Sequence, residues 1–212
     1  MPTPNSYKIL TKRQNLLLRV SKGHFATSHS HINYYIDVTT QKARLSEAKA
    51  VAQELAGYYQ QTIVDTILCL DGTQVIAACL ASELTKSGFS TMNAHQTIYV
   101  VTPEHTTGSQ LIFRDSMLHM IEGKNVLIMA ASVTTGFTAK AAIEAMNYYH
   151  GHVVGVCSIF ATVDTCDGYR VESVFDPNDL DGYISYPSHE CPMCRAGQRI
   201  DALVNSFGYS KL

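Results

Sequence analysis

The sequence predicts an α/β fold in which a parallel twisted sheet carries helices on both faces. The continuous apolar run at 126–129 is typical of a parallel strand that is buried on both sides. Strand-like and helix-like segments alternate over residues 43–162, which predicts right-handed crossovers between parallel strands. In such sheets the ligand sites lie at the carboxyl ends of the strands, so we expect a site there.

Composition bounds the class of protein. The 212 residues suit one domain, or a domain with a small appendage, and 46% apolar against 16% charged residues indicates a compact globule. The formal net charge of −2 favours neither nucleic-acid nor membrane binding. The sequence has no apolar run long enough to span a bilayer and no signal-peptide apolar region at its beginning. Three cysteines in apolar contexts are interpreted as reduced core residues, which favours a cytoplasmic protein: Cys69, Cys79 and Cys157.

The elements follow from local periodicity. Residues 7–22 are predicted to form a short helix that Gly23 interrupts, and residues 31–38 are rich in β-branched and aromatic side chains, as in a strand. The remaining predicted elements are a helix at 43–60, a strand at 63–70, a helix at 75–86, a strand at 96–101, a long polar loop at 102–122, a strand at 125–131, a helix from about Phe137 to Gly151, a strand at 152–162 and a short strand at 171–175.

A loop with several hydroxyl groups and a glycine follows the strand that ends near Ala130. Thr134, Thr135 and Thr138 supply hydroxyl donors, and Gly136 lets the backbone approach an anion closely. The start of the next helix adds unpaired N–H groups and the positive end of the helix dipole. The pattern suits a phosphate, and an ordinary strand–helix turn with an N-cap threonine is the alternative.

The segment 126–138 resembles the phosphoribosyl pyrophosphate (PRPP) loop of type I phosphoribosyltransferases, in which two acidic residues and a Thr-Thr-Gly-x-Thr loop follow a hydrophobic strand. Residues 134–138 match that loop, whereas Ala130 and Ala131 stand in place of the two acids. Residues 21–40 and the Cys-Pro-x-Cys-x-x-Gly segment at 191–197 resemble parts of orotate phosphoribosyltransferases. The resemblance covers most of residues 20–200 and implies a core at about 41–165 with a cap or hood formed by 1–40 and 166–212.

The resemblance implies a set of site residues. The 5′-phosphate would be held by Ser132, Val133, Thr134, Thr135, Gly136, Phe137 and Thr138, and the pyrophosphate by a loop of Asp71, Gly72, Thr73 and Gln74. Asp71 also fits a helix-capping turn residue. A mobile hood over the site would correspond to 102–122, where His105 and Arg114 are the candidates. This loop has no lysine before Lys124, although the family carries a catalytic lysine there, so the catalytic residue is left open.

The tail contains Cys191 and Cys194 with His189 two positions upstream, a spacing found in zinc knuckles. This is half of a four-ligand site, which Cys166 or His152 would complete only if the fold brings them close. An unliganded turn is the alternative to a Zn²⁺ site.

Three hypotheses follow. The first is a phosphoribosyltransferase that moves the phosphoribosyl group of PRPP to a nitrogenous base, with orotate the expected base and Mg²⁺ on the pyrophosphate. The second is a sensor that binds PRPP or a nucleotide 5′-phosphate but has lost transfer, since the acids and the hood lysine are both missing. The third is a structural α/β protein with an empty site. We also expect a homodimer.

Overall fold

A computed structural model describes residues 6–10, 16–86, 91–94, 96–107, 110–205 and 208–212. The chain divides into two compact units. One unit contains Met1–Thr40 together with Phe175–Leu212, and the other contains Gln41–Val174. The assignment of all 212 residues to a single domain stays a prediction.

The described elements are numbered along the chain. They are β1 (Ser6–Leu10), β2 (Leu17–Ala26), β3 (His31–Asp37), α1 (Thr39–Ala43), α2 (Leu45–Tyr59), β4 (Thr66–Cys69), α3 (Gln74–Leu84), β5 (Tyr99–Val101), β6 (Glu104–His105), β7 (Leu111–Ile112), α4 (Asp115–Leu118), β8 (Asn125–Val133), α5 (Phe137–Tyr148), β9 (His152–Ala161), β10 (Thr165–Cys166), β11 (Tyr169–Phe175), β12 (Ser185–Tyr186), α6 (Pro192–Arg195), β13 (Ala202–Asn205) and β14 (Gly208–Lys211).

The unit formed by residues 41–174 contains the predicted parallel sheet. Its strand order is β10-β11-β9-β8-β4-β5, and the pairs β5–β4, β4–β8 and β8–β9 are all parallel. The prediction of an α/β fold built on a parallel sheet is therefore confirmed. The sequence analysis did not foresee β10, which pairs antiparallel with β11 through a turn in which Asp167 and Gly168 both have positive φ.

Helices cover both faces of this sheet. Val126, Ile128 and Ala130 of β8 pack in one core cluster with the buried residues of α5. Successive residues of a strand point to opposite faces, so Leu127 faces the other way. Its partner on β9 is Gly155, and a Cβ at Gly155 would lie 3.0 Å from the Tyr59 ring of α2. Hence α5 and α2 lie on opposite faces, and the Tyr59 hydroxyl donates a hydrogen bond to the Val156 carbonyl across 3.0 Å.

The unit formed by 1–40 and 175–212 contains a second sheet with the order β12-β3-β2-β13-β14, and β1 pairs antiparallel with β2. The predicted helix at 7–22 is therefore wrong where the structure describes this segment. Leu16, Leu18 and Val20 are buried, while Leu17 and Arg19 between them are partly exposed. This two-residue period is that of a strand with one buried face, and pairing with β1 and β3 overrides the helix propensity of the leucines.

Gly23 does not interrupt β2. It lies where the register of β2 against β3 shifts between Lys22 and Phe25, so it belongs to a β-bulge. The absence of a side chain at Gly23 allows a close approach, because a Cβ there would lie 2.7 Å from the Asp201 carboxylate, which accepts a hydrogen bond from the His24 N–H. None of the helices in the described part of the chain has the length and apolar character needed to cross a membrane.

Candidate phosphate-binding site

The predicted phosphate loop lies at the carboxyl end of β8. The strand runs on to Val133, so the loop proper is residues 134–136, and α5 begins at Phe137. Gly136 is the N-cap residue and has φ +77°, a conformation that glycine adopts without steric cost. The first intrahelical bond runs from Lys140 N–H to the Gly136 carbonyl at 2.7 Å. The amides of 137–139 precede that bond, and the side chains of Thr135, Phe137 and Thr138 are exposed around them.

The loop is held from the neighbouring strand. The Thr162 hydroxyl, just beyond β9, donates to the Thr134 carbonyl at 2.8 Å, and its N–H donates to the Val133 carbonyl at 3.0 Å. The Cys166 thiol lies 3.6 Å from the Gly136 carbonyl, and a Cβ on Gly136 would lie 3.2 Å from the same sulfur. Both neighbours fix the backbone of the loop, and the space beside Gly136 is already filled.

The predicted pyrophosphate loop lies beside the phosphate loop, because β4 and β8 are adjacent and parallel. Asp71 and Gly72 have φ +55° and +76°, which turns the chain sharply between β4 and α3. Thr73 is buried, and its hydroxyl donates to the carbonyls of Leu70 (2.8 Å) and Met129 (3.1 Å). The Thr73 side chain thus ties this loop to β8, while Gly72 and Gln74 are exposed at the surface.

Asp71 and Lys42 bring opposite charges to this loop. The Asp71 carboxylate accepts a hydrogen bond from the Ala131 N–H, with 3.4 Å between nitrogen and Oδ2. The Lys42 ammonium, on α1, donates to the Asp71 carbonyl at 2.8 Å, and a Cβ on Gly72 would lie 3.9 Å from Nζ. The sequence analysis missed Lys42, which is 29 residues from Asp71 and carries no motif of its own. It placed Asp71 in the pyrophosphate loop or in a helix-capping turn, and did not foresee its carboxylate next to Ala131.

Ala130 and Ala131 lie near the carboxyl end of β8. They are 1% and 2% exposed, so the positions that acidic residues take in the resembled loop are closed to solvent here. Ala130 faces α5 in the core cluster, and alternation along the strand turns Ala131 to the other side. A carboxylate introduced at Ala130 would enter an apolar environment.

The predicted hood forms a short hairpin in the described residues, with β6 paired antiparallel to β7; Gly108 and Ser109 lie outside them. His105 is exposed on this hairpin. Arg114 follows β7 and donates from Nε to Glu104 at 2.7 Å, and this pairing raises the pKa of Arg114 and lowers that of Glu104. Arg114 is therefore committed to an ion pair within the hairpin.

The two tail cysteines lie near histidines that the sequence analysis did not consider. Cys191 and Cys194 group with His24 and His31, all within the unit formed by 1–40 and 175–212. His189, the upstream candidate, is exposed and contacts Glu190, with 3.2 Å between Nε2 and Oε1.

Sequence relatives cover most of this chain. The chain is 28% identical over 181 residues to an orotate phosphoribosyltransferase of Thermoanaerobacter sp. (strain X514), covering 84% of this chain and 86% of the relative. It is 26% identical over 187 residues to the orotate phosphoribosyltransferase of Chlorobium phaeobacteroides, covering 85% and 86%. No family model matches the chain.

Several solved structures have a similar fold. The Leishmania donovani UMP synthase matches with a TM-score of 0.57 at 21% identity, over 76% of this chain and 34% of that one. The Mycobacterium tuberculosis orotate phosphoribosyltransferase complexed with Fe(III) dicitrate matches with a TM-score of 0.54 at 19% identity, over 77% and 92%. The same enzyme in complex with PRPP matches with a TM-score of 0.50 at 17% identity, over 69% and 83%.

The fold is that of the type I phosphoribosyltransferases, as the loop at 134–138 predicted. Within that class, the sequence relatives are named orotate phosphoribosyltransferases, and the resemblance inferred from the sequence is confirmed. The roles of the individual site residues stay predictions.

Proposed function

We propose that this chain is a PRPP-dependent phosphoribosyltransferase that uses orotate as the acceptor base. The proposal rests on the hydrogen bonds that hold the loop after β4 to β8, the strand that leads into the phosphate loop. Thr73 and Asp71 of this loop reach Met129 and Ala131 of that strand. The orotate phosphoribosyltransferase names of the relatives, which align over more than four fifths of the chain, support the choice of base.

In this proposal the two loops divide the substrate between them. The amides of 137–139 and the Thr135 and Thr138 side chains hold the 5′-phosphate at the N-terminus of α5, where the helix dipole favours an anion. The exposed Gly72 backbone receives the pyrophosphate. Lys42 brings positive charge to the same loop, where it stabilises the charge that grows on the leaving pyrophosphate.

The residues present also fit a bound Mg²⁺, although they offer it fewer carboxylates than the two acids of the resembled loop. Mg²⁺ in such sites keeps several waters and binds through one or two carboxylates together with substrate phosphates. Among the described residues, Asp71 is the carboxylate that hydrogen bonding places at this edge, next to the position of the missing acids. We propose that Asp71 fills part of their role, as a carboxylate that would help to hold Mg²⁺ or would accept a hydrogen bond from a ribose hydroxyl. Mg²⁺ would supply neutralisation of the pyrophosphate charge.

A panel of acceptor bases tests the function. Purified protein is incubated with PRPP, Mg²⁺ and one base at a time, including orotate, uracil, adenine and hypoxanthine, and the nucleotide product is identified by mass spectrometry. Formation of orotidine 5′-phosphate alone supports the proposal. Formation of another nucleotide would retain transfer and overturn the choice of base. Absence of every nucleotide would overturn transferase activity.

The sensor remains the second candidate, and the burial of Ala130 and Ala131 favours it. A sensor would bind PRPP with little dependence on Mg²⁺ and would form no nucleotide with any base. Isothermal titration of PRPP with and without Mg²⁺, on the protein used in the base panel, separates the two functions.

We further propose that the protein acts in the cytoplasm as a homodimer. Light scattering coupled to size-exclusion chromatography tests the assembly, because a dimer has twice the 23.3 kDa mass of the chain. A monomer mass at micromolar concentration would contradict it.

A further inference from the structure

Four side chains with metal-binding atoms converge in the unit formed by 1–40 and 175–212. His24 lies in β2 and His31 begins β3, while Cys191 is the N-cap residue of α6 and Cys194 lies within that helix. Their ligand atoms all lie within 4.8 Å of one another. Three of the four residues are buried, with His24 0%, His31 8% and Cys191 1% exposed, and Cys194 lies at the surface.

The distances match the edges of a metal-centred tetrahedron. With Zn–N of about 2.0–2.1 Å and Zn–S of about 2.3 Å, tetrahedral geometry requires about 3.3 Å between two nitrogens and about 3.5 Å between nitrogen and sulfur. His24 Nε2 lies 3.0 Å from His31 Nδ1, and the Cys191 and Cys194 sulfurs lie 3.5 and 3.7 Å from His24 Nε2. The Cys194 sulfur lies 3.3 Å from His31 Nδ1.

The tautomer of His24 suits a ligand role. Its Nδ1 lies 3.0 Å from the Gln198 carbonyl, which can only accept, so Nδ1 carries the proton and Nε2 presents its lone pair to the cluster. A backbone carbonyl on the far nitrogen is the usual way in which proteins orient a metal-binding histidine. Gln198 is itself placed by the turn after α6, where its N–H donates to the Met193 carbonyl at 2.9 Å.

Hydrogen bonding alone leaves this cluster poorly satisfied. Three polar atoms lie close to His24 Nε2, and a neutral imidazole nitrogen offers one lone pair, so it accepts one hydrogen bond well. A cation at the centre satisfies all four ligand atoms at once. Two thiolates and two imidazoles in a tetrahedron are a donor set typical of Zn²⁺.

We propose that His24, His31, Cys191 and Cys194 bind one structural Zn²⁺ that joins the β2–β3 hairpin to the tail. Four protein ligands leave no open position for a substrate, which assigns the ion a structural role. The site lies outside the two phosphate loops and is independent of the proposed transfer reaction. In this site the two remaining ligands are His24 and His31. They differ from the candidates named from the sequence, which were His152, Cys166 and His189.

Metal analysis of untagged protein, purified without chelator from zinc-supplemented culture, tests the site. We expect about one zinc per chain in the unmodified protein. The Cys194→Ser and His31→Ala variants should lose most or all of this zinc. Cys79→Ser and His189→Ala serve as matched controls, since Cys79 lies on α3 and His189 is exposed beside the site, and both should retain the zinc. Loss of zinc in His189→Ala, or retention in both ligand variants, would overturn the assignment.

A second measurement needs no variant to fold. The unmodified protein is stripped with a chelator and titrated with Co²⁺, whose tetrahedral thiolate complexes show intense d–d and sulfur-to-cobalt charge-transfer absorption. We expect these bands to saturate at about one Co²⁺ per chain and to disappear when Zn²⁺ is added. Absence of the bands, together with absence of zinc from the purified protein, would overturn the proposal and leave the four side chains held by hydrogen bonds alone.

Discussion

The Asp71 carboxylate accepts a hydrogen bond from the Ala131 N–H, although the two residues lie 60 positions apart, with Asp71 in the loop after β4 and Ala131 within β8. The parallel register of β4 and β8, in which Cys69 pairs with Met129, brings them level. β8 thus has no acid at the two positions where the resembled loop carries them, and a carboxylate from the loop after the neighbouring strand β4 lies beside Ala131 instead. The proposed transfer function depends on this exchange.

We predict that Lys42→Met weakens PRPP binding roughly ten- to hundred-fold, because a hydrogen bond to a charged group contributes about 1.5–3 kcal/mol. Loss of the ammonium removes positive charge beside Gly72, where the pyrophosphate is proposed to bind. Isothermal titration with PRPP measures the effect. Lys42→Arg is the matched variant and should retain most of the affinity, and Lys140→Met, on the exposed side of α5, reports any general effect of charge. Equal affinity in Lys42→Met and the unmodified protein would exclude Lys42 from the site.

Gly136→Ala should lower the free energy of unfolding by about 1–2 kcal/mol, since an L-residue is strained at positive φ. It should also reduce PRPP affinity, because the new Cβ meets the Cys166 sulfur at 3.2 Å and shifts the loop. Denaturant unfolding and titration measure the two effects. Gly168→Ala has a similar φ of +84° but no atom within 4 Å, so it isolates the backbone strain. If Gly168→Ala weakened PRPP binding as much, the effect at Gly136 would not be local.

Gly57→Ala gives a control of opposite sign for the same unfolding experiment. It lies within α2, and a Cβ there meets nothing within 4 Å. Alanine is favoured over glycine in a helix by about 1 kcal/mol, so this variant should be more stable than the unmodified protein. Destabilisation by Gly57→Ala would show that added side chains disturb this fold for reasons other than those given for Gly136.

An acid introduced near the carboxyl end of β8 should destabilise the protein. Ala130→Asp would place a carboxylate at a position 1% exposed in the core cluster with α5, and we expect a loss of about 3–5 kcal/mol in the free energy of unfolding. Ser132→Asp, at an exposed position on the same strand, is the matched control and should be tolerated. Denaturant unfolding monitored by circular dichroism measures both. Normal stability of Ala130→Asp with a gain in Mg²⁺-dependent PRPP binding would mean that the strand end opens to admit the acid.

The sequence predicted the central strand and the phosphate loop because both signals are local. The apolar run at 126–129 and the turn at Gly136 are each contained in a short, continuous stretch of sequence. The predicted helix at 7–22 was wrong because leucines favour helices in isolation, whereas the pairing of β2 with β1 and β3 comes from distant parts of the chain.

The site residues that sequence reasoning missed share a different cause. His24 and Cys191 lie 167 positions apart, and no spacing rule joins a hairpin histidine to a tail cysteine. Lys42 reaches Asp71 only because α1 ends beside the loop after β4. A Cys-x-x-Cys segment indicates at most half of a metal site, and the two histidines that lie beside it in the structure carry no signal in the sequence.

Removal of zinc should destabilise the unit formed by 1–40 and 175–212. The proposed ion adds a connection between the tail and the β2–β3 hairpin to the pairing of β12 with β3 and of β13 with β2. We therefore expect the Tm to fall by several degrees after chelation and to recover when Zn²⁺ is restored. Calorimetry with PRPP absent and zinc in defined excess measures the shift. An identical Tm for stripped and zinc-loaded protein would contradict a structural role for the ion.

The most direct test of the proposed function is orotate-dependent release of pyrophosphate from PRPP by the unmodified protein, compared with Asp71→Asn. Asparagine retains a carbonyl acceptor for the Ala131 N–H and tolerates positive φ, so this variant removes the charge and little else. We predict Mg²⁺-dependent release by the unmodified protein and a decrease of roughly tenfold or more in Asp71→Asn, with no change in Glu144→Gln on the exposed side of α5. Equal rates for Asp71→Asn and the unmodified protein would remove Asp71 from the reaction. No orotate-dependent pyrophosphate release by the unmodified protein at any Mg²⁺ concentration would contradict the transferase itself.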